Sequence, residues 1–262
     1  MKNLVSLLLL VGLVFAQTAC EYPQQAFPCE DGVGERVTEV REFESFSKIM
    51  INLPGDVYLH QANEYRVEVT AQDNILEFLT TEVAENQLTI TNSNCLNDFK
   101  TIRMDVYLPS LEMLEIQGSG DVYSEEAFDN ASDQLLINIK GSGGVELDAN
   151  AKTVAIDIMG SGDVTLKTQA EIMTSTIEGS GDILLRGNVD KHSLQIDGTG
   201  NARAFELMSR ETAITITGEG DCEISAEEKL IVDIRGSGNV YYKGNPVLDA
   251  TVTGTGQIIF VE

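Results

Sequence analysis

Tryptophan is absent from the 262 residues, and histidine occurs only at His60 and His192. Without tryptophan the chain lacks the widest rings for the stacking platforms that hold sugars. With two distant histidines, a serine nucleophile has almost no base to draw on. Four cysteines are too few to build a disulfide scaffold. Basic residues are scarce too: 17 Lys and Arg stand against 42 Asp and Glu, a formal net charge of −25. That charge repels nucleic acid and anionic membrane surfaces, and its plainest consequence is a soluble, well-solvated exterior.

What the chain does have is glycine in fixed places. The triplet G-x-G begins at Gly118, Gly141, Gly160, Gly179, Gly198, Gly218, Gly236 and Gly254, at spacings of 23, 19, 19, 19, 20, 18 and 18 residues. These triplets hold 16 of the 23 glycines. A period near 19 over eight copies is the signature of a solenoid. Two positions before the triplets stand Ile116, Ile139, Ile158, Ile177, Ile196, Ile216, Ile234 and Val252. Two positions after them stand Val122, Val145, Val164, Ile183, Ala202, Cys222, Val240 and Ile258. Neighbours along the chain are mostly polar, so the period is two, which means strands with one face buried. Stacked coils turn each column into an inward apolar ladder, with glycine where the corner needs positive φ and no Cβ. The expected fold is all-β, a single-domain right-handed parallel β-helix.

The chain opens on a different pattern. Lys2 precedes Leu4–Ala16, a 13-residue run that is apolar apart from Ser6. That is short of the roughly 20 residues needed to span a bilayer, and it reads as an export signal over 1–19. The run ends in Gln17-Thr18-Ala19-Cys20, which resembles the lipobox of bacterial lipoproteins, with Gln17 where that motif usually carries an aliphatic residue. The resemblance implies an acylated Cys20 as mature N-terminus; ordinary cleavage after Ala19 is the alternative. Residues 20–36, with Pro23, Gln24, Gln25 and Pro28, read as a tether. The solenoid is expected over 37–262, with atypical opening coils before Gly118, because a solenoid must cap its ends. Strands are expected at Lys48–Leu53, Val57–Gln61, Arg66–Ala71, Gln87–Thr91 and Thr101–Leu108, and a helical turn within Asp73–Ala84.

Three features together resemble one known family. They are the lipoprotein-like start, the segment Phe46-x-x-Ile49-x-Ile51-x-x-x-Gly55-Asp56-Val57, and the serial GSGDV units at Gly118–Val122 and Gly160–Val164. Over about 37–260 the chain is similar to the family called putative auto-transporter adhesin, head GIN domain. The resemblance implies a β-helix in the cell envelope of a Gram-negative, Bacteroidetes-like bacterium. It leaves the biochemical function open.

The columns also suggest chemistry. Asp56, Asp121, Asp163, Asp182, Asn201, Asp221 and Asn239 follow the triplets, broken by Gly144 and Gln257. The G-x-G-D string is similar to the calcium-binding nonapeptide of β-rolls. Here, though, one carboxylate comes per coil, while calcium takes six to eight oxygens. The competing role is an Asp or Asn accepting backbone N–H bonds at a turn, and no metal site is assigned. Ser119, Ser142, Ser161, Ser180 and Ser237, in the middle of the triplets, read as a hydroxyl ladder rather than nucleophiles. Cys222 sits in an inward column, and Cys29 and Cys95 are a possible disulfide of an exported chain. Tyr242 and Phe260 share a column and read as end packing.

No cofactor and no catalytic residue are assigned. The expectation is a non-catalytic envelope lipoprotein, a structural or adhesin-like module with a membrane anchor at Cys20 and an envelope protein or glycan as partner. Two alternatives stand beside it. A carbohydrate-active β-helix enzyme needs clustered carboxylates in a looped groove, and a lipid- or small-ligand-binding protein needs an outward apolar patch.

Overall fold

In the computed structural model, which describes residues 29–129 and 133–262, the glycine triplets stack at one corner of a parallel β-solenoid. The register carries this. Ile158, Ile177, Ile196, Ile216 and Ile234 are successive partners on one side of the corner. Val164, Ile183, Ala202, Cys222 and Val240 are successive partners on the other. The stretches before the corner (153–158, 172–177, 191–196, 211–216, 229–234, 247–252) form one flat face, here face A. Those after it (145–148, 164–167, 183–186, 202–204, 222–225, 240–243) form face B.

Alternation places the core between the two faces. Val164 and Leu166 are buried on face B, and Met173, Ser175 and Ile177 on face A. The pattern changes phase between Ala170 and Met173, where the chain rounds the second corner. All three isoleucines Ile158, Ile177 and Ile196 are wholly buried. Burying such a side chain stabilises by about 1.5–3 kcal/mol. Successive triplet corners are then bonded to one another through the backbone. The N–H of Ser180 donates to the carbonyl of Gly160 at 3.0 Å, and Thr199 to Gly179 at 2.9 Å. Glycine is needed at Gly179 because φ is +140° there, and at Gly181 because an added Cβ would lie 2.1 Å from the Gly162 carbonyl oxygen.

The column beginning at Ile116 is buried as far as Ile234, but Val252 is 42% exposed. The expectation of an inward ladder through Val252 is therefore corrected at its last member. Val252 points the right way, yet no described strand lies beyond its coil.

The region before Gly118 departs further from plain coils. The strand Lys48–Asn52 stacks in parallel on Met113–Ile116, and Asp56–Gln61 on Asp121–Ser124. Beyond them lie Gln87–Asn92 and Arg103–Leu108, also parallel. Hence the later segment 87–108 forms the outer coil, and 48–61 lies between it and the regular repeats. Antiparallel strands finish both faces: Leu79–Ala84 beside Gln87–Asn92, and Arg66–Gln72 followed by Arg36–Glu42 on face B. Reversing strand direction covers sheet edges that would otherwise stay open. The helical turn covers Asp73–Leu76 and buries Ile75 and Leu76.

The tether reading of 20–36 is too long at its end. Glu30–Asp31 pairs with Leu96–Asn97, Arg36 begins a strand, and Cys29 and Cys95 are joined by a disulfide. The Cys29–Cys95 disulfide ties the end of the expected tether to the folded body. Cys20 and the expected export signal lie outside the described residues.

Candidate functional site

The polar column beside the corner is a backbone clamp. Asp163 Oδ1 accepts the N–H of Asp182 at 2.8 Å, and Asp182 Oδ1 that of Asn201 at 2.9 Å. Asn201 Oδ1 accepts from Asp221 at 3.0 Å, Asp221 from Asn239 at 2.7 Å, and Asn239 from Gln257 at 3.1 Å. Each side chain thus caps the next coil, not its own corner. Among the described residues no group of three or more His, Cys, Asp or Glu is placed to hold a metal ion. Of the middle-position hydroxyls, Ser161 and Ser180 bond each other at 3.1 Å.

The two histidines have separate surroundings. His192 is buried, with Nε2 3.1 Å from the Ser175 hydroxyl and Nδ1 without a partner. Burial lowers its pKa to about 4, so the ring is neutral near pH 7. Ser175 is wholly buried as well, which keeps this Ser–His pair from any substrate. Cys222 is sealed in the core, and burial pushes its thiol pKa up.

His60 lies on the outer surface of face B, in a cluster that no single repeat announces. Its ring stacks on Tyr107 at 4.6 Å, and the Arg66 guanidinium lies 3.9 Å over the other ring. Alongside, Tyr58 stacks on Tyr123 at 5.3 Å, and Arg103 lies 3.7 Å from the Tyr58 ring centre. Asp105 accepts from His60 at 2.9 Å and from Arg103 at 2.6 Å. Burial alone would raise the Asp105 carboxyl, but the bonds from Arg103 and His60 outweigh it and hold it below the usual range. Arg–aromatic stacking and cross-strand ring pairs stabilise a sheet. These rings are spent largely on one another, so the cluster reinforces the first coils. Period-two spacing of Tyr58 with His60, and of Arg103, Asp105 and Tyr107, was the available signal.

Face A differs. One outward row is short, Thr174, Ser193 and Ala213, and Ile172, Ile231 and Val247 on this face are exposed by 48, 38 and 74%. A cavity of about 300 Å³ lies on this face between Ile172 and Ile231. Tyr242 and Phe260, 5.6 Å apart edge to face, pack at the C-terminal end, where Phe260 is 54% exposed. No described helix is long and apolar enough to cross a membrane.

Known proteins agree with this geometry. A protein titled putative lipid binding protein, from Parabacteroides distasonis ATCC 8503, is 25% identical and superposes with a TM-score of 0.83, covering 90% of this chain and all of its own. A protein titled putative adhesin from the same organism is 22% identical, with a TM-score of 0.84 over 88% of this chain and 99% of its own. Another putative adhesin, from Parabacteroides merdae ATCC 43184, is 22% identical and gives 0.80 over 89% and 99%. No curated protein matches. The family description "putative auto-transporter adhesin, head GIN domain" matches residues 45–246, more than half of the chain. On that match, the chain belongs to the head GIN domain family of putative auto-transporter adhesins.

Proposed function

We propose that this protein is an exported, non-catalytic, adhesin-like module of the cell envelope, anchored through an acylated Cys20, which binds its partner on face A. The observation that carries the reading is the outer surface of that face, where Ile172, Ile231 and Val247 are exposed beside the short row Thr174, Ser193 and Ala213. Clustered exposed apolar side chains on a soluble protein mark interaction surfaces. A solenoid also presents such a surface already ordered, so binding costs little further entropy. The partner would be a protein or glycan of the envelope, and the family and the adhesin titles of its structural neighbours support that class.

Two experiments test the reading. The chain from Glu21 onward, which retains every residue of the folded body, should bind isolated envelope fractions. Ile172→Asp with Ile231→Asp should abolish that binding without lowering the melting temperature. Binding that survives both substitutions would remove face A from consideration. Cys20→Ala should release the full-length chain from the membrane fraction or leave it unprocessed. A variant that matures and fractionates like wild type would rule out lipidation. Turnover of a polysaccharide by the purified chain, lost on replacing a single carboxylate, would overturn the non-catalytic assignment.

A further inference from the structure

We infer that the groove on face A takes the hydrocarbon chain of a single-chain anionic amphiphile, a free fatty carboxylate. The inference rests on the assignment of face A as the binding surface and goes beyond it, naming a ligand class other than the protein or glycan partner. The groove's floor is a row of register partners, Thr174, Ser193 and Ala213, closed at one end by Ile231. Its wall is the parallel row Ile172, Lys191, Glu211 and Lys229. Small side chains beneath longer ones make a trough that runs along the solenoid axis. From the coil of Ile172 to that of Ile231 are three strand spacings, about 14 Å. That length suits a medium alkyl chain lying along the axis, and the volume of about 300 Å³ is at the small end of ligand sites.

Charge chooses the head group. The aliphatic stems of Lys191 and Lys229 extend the apolar wall, while their ammonium ends stay at its rim. Lys191 is 3.8 Å from the Glu211 carboxylate, whereas Lys229 has no ion pair or hydrogen bond among the described residues. The groove lining therefore carries two ammonium groups against one carboxylate in a chain whose net charge is −25. An apolar trough ending at a free ammonium complements an alkyl carboxylate. A cationic amphiphile would meet repulsion at Lys229 and a neutral one would gain nothing there.

The test is titration of the chain from Glu21 onward with decanoate below its micelle concentration, by calorimetry. Hexanoate, decanol and decyltrimethylammonium serve as comparators. Saturable one-to-one binding of decanoate is expected, with hexanoate more than about tenfold weaker because four methylenes no longer leave water. Ala213→Leu, which fills the trough, should abolish binding while the melting temperature holds. Lys229→Gln should weaken decanoate roughly two- to fivefold, the range of an exposed ion pair, and leave decanol unchanged. Absence of saturable decanoate binding, binding untouched by Ala213→Leu, or decyltrimethylammonium binding as tightly as decanoate would each overturn the inference. If decanoate fails while Ile172→Asp with Ile231→Asp still abolishes envelope binding, the amphiphile falls and face A stands. If neither probe binds, both fall.

Discussion

The coils from Gly118 onward and the region from Cys29 to Pro109 belong to one body but are held together differently. In the coils, one corner is copied eight times; the copies are joined by backbone carbonyls and, in most coils, by an Asp or Asn side chain of the previous one. Adjacent coils are thus bonded chiefly by backbone and by identical apolar partners. The N-terminal region continues that corner only once, in the degenerate Leu53-Pro54-Gly55-Asp56, whose Gly55 carbonyl accepts the N–H of Asp121. It relies on antiparallel strands, on stacked rings with arginines, and on a disulfide between residues 66 apart in sequence. The difference shows what each part must solve: an interior coil needs only a match to its neighbours, whereas an end must stop the match.

The sharpest way to break the comparison is to attack the copied part. Ile177 is wholly buried between Ile158 and Ile196. Ile177→Asp buries an unpaired charge, and a loss of about 5 kcal/mol or outright failure to fold is expected. Nearest-neighbour coupling should spread the damage to the flanking coils. Urea unfolding measures it, and a loss below about 2 kcal/mol would show that the ladder tolerates gaps. The outward Thr176→Asp on the same strand should be nearly silent.

The next largest effect lies at the other end. Closing a loop of this length restricts the unfolded chain by up to about 4 kcal/mol. Cys29→Ser with Cys95→Ser should therefore weaken the N-terminal region first. Hydrogen exchange should show Val67 and Val69 losing protection while Ile196 and Ile216 keep theirs. Equal loss at all four would mean that cap and coils form a single cooperative unit.

The third concerns pH and returns to the coils. His192 has a folded pKa of about 4 against an ordinary value of 6.5. The unfolded chain therefore takes up the proton first as pH falls. The stability contributed by the neutral ring is complete above about pH 6.5 and declines toward pH 4, by about 3 kcal/mol. His192→Met places the residue of the preceding coil, Met173, at the same register position and should flatten that slope. A slope unchanged in the variant would assign the acid sensitivity to carboxylates such as Asp105.

How much of this was legible in the sequence follows the same division. The coils could be read because glycine, isoleucine and aspartate each recur at one structural position, and eight repetitions separate pattern from composition. Val252 was misjudged because its column says which way a side chain points, not whether anything covers it. The antiparallel strands Arg36–Glu42 and Leu79–Ala84 have the same alternation as parallel ones, so direction was not recoverable. The stacks Arg66–Tyr107–His60 and Arg103–Tyr58–Tyr123 join residues from several strands whose spatial order differs from their chain order. The groove on face A was hidden because its floor, Thr174, Ser193 and Ala213, is made of unremarkable small residues.

The smallest effect separates a clamp from a metal site. Asp163 offers one carboxylate oxygen to the N–H of Asp182, and Asp182 offers one to Asn201. Arg203 lies 3.1 Å from the other oxygen of Asp182, where a shared ion would have to sit. An asparagine oxygen can do the clamping, as Asn201 and Asn239 do toward Asp221 and Gln257. Asp163→Asn should therefore change stability by less than about 0.5 kcal/mol, while Asp163→Ala leaves the Asp182 N–H without its partner and should cost about 1 kcal/mol. Gly144 offers the complementary case. It stands where every other coil but the last carries Asp or Asn, its φ is not in the left-handed region, and an added Cβ would lie 3.2 Å from Asp121 Oδ1. That is tight but adjustable, since Asp121 Oδ1 is already the acceptor for the Gly144 N–H at 2.7 Å. Gly144→Asn should extend the clamp toward Asp163 at little net change in stability. Thermal unfolding of these variants with millimolar calcium or a chelator decides the matter. A clamp predicts melting temperatures that ignore calcium in every variant, whereas a calcium-dependent rise lost in Asp163→Asn would make the column a metal site.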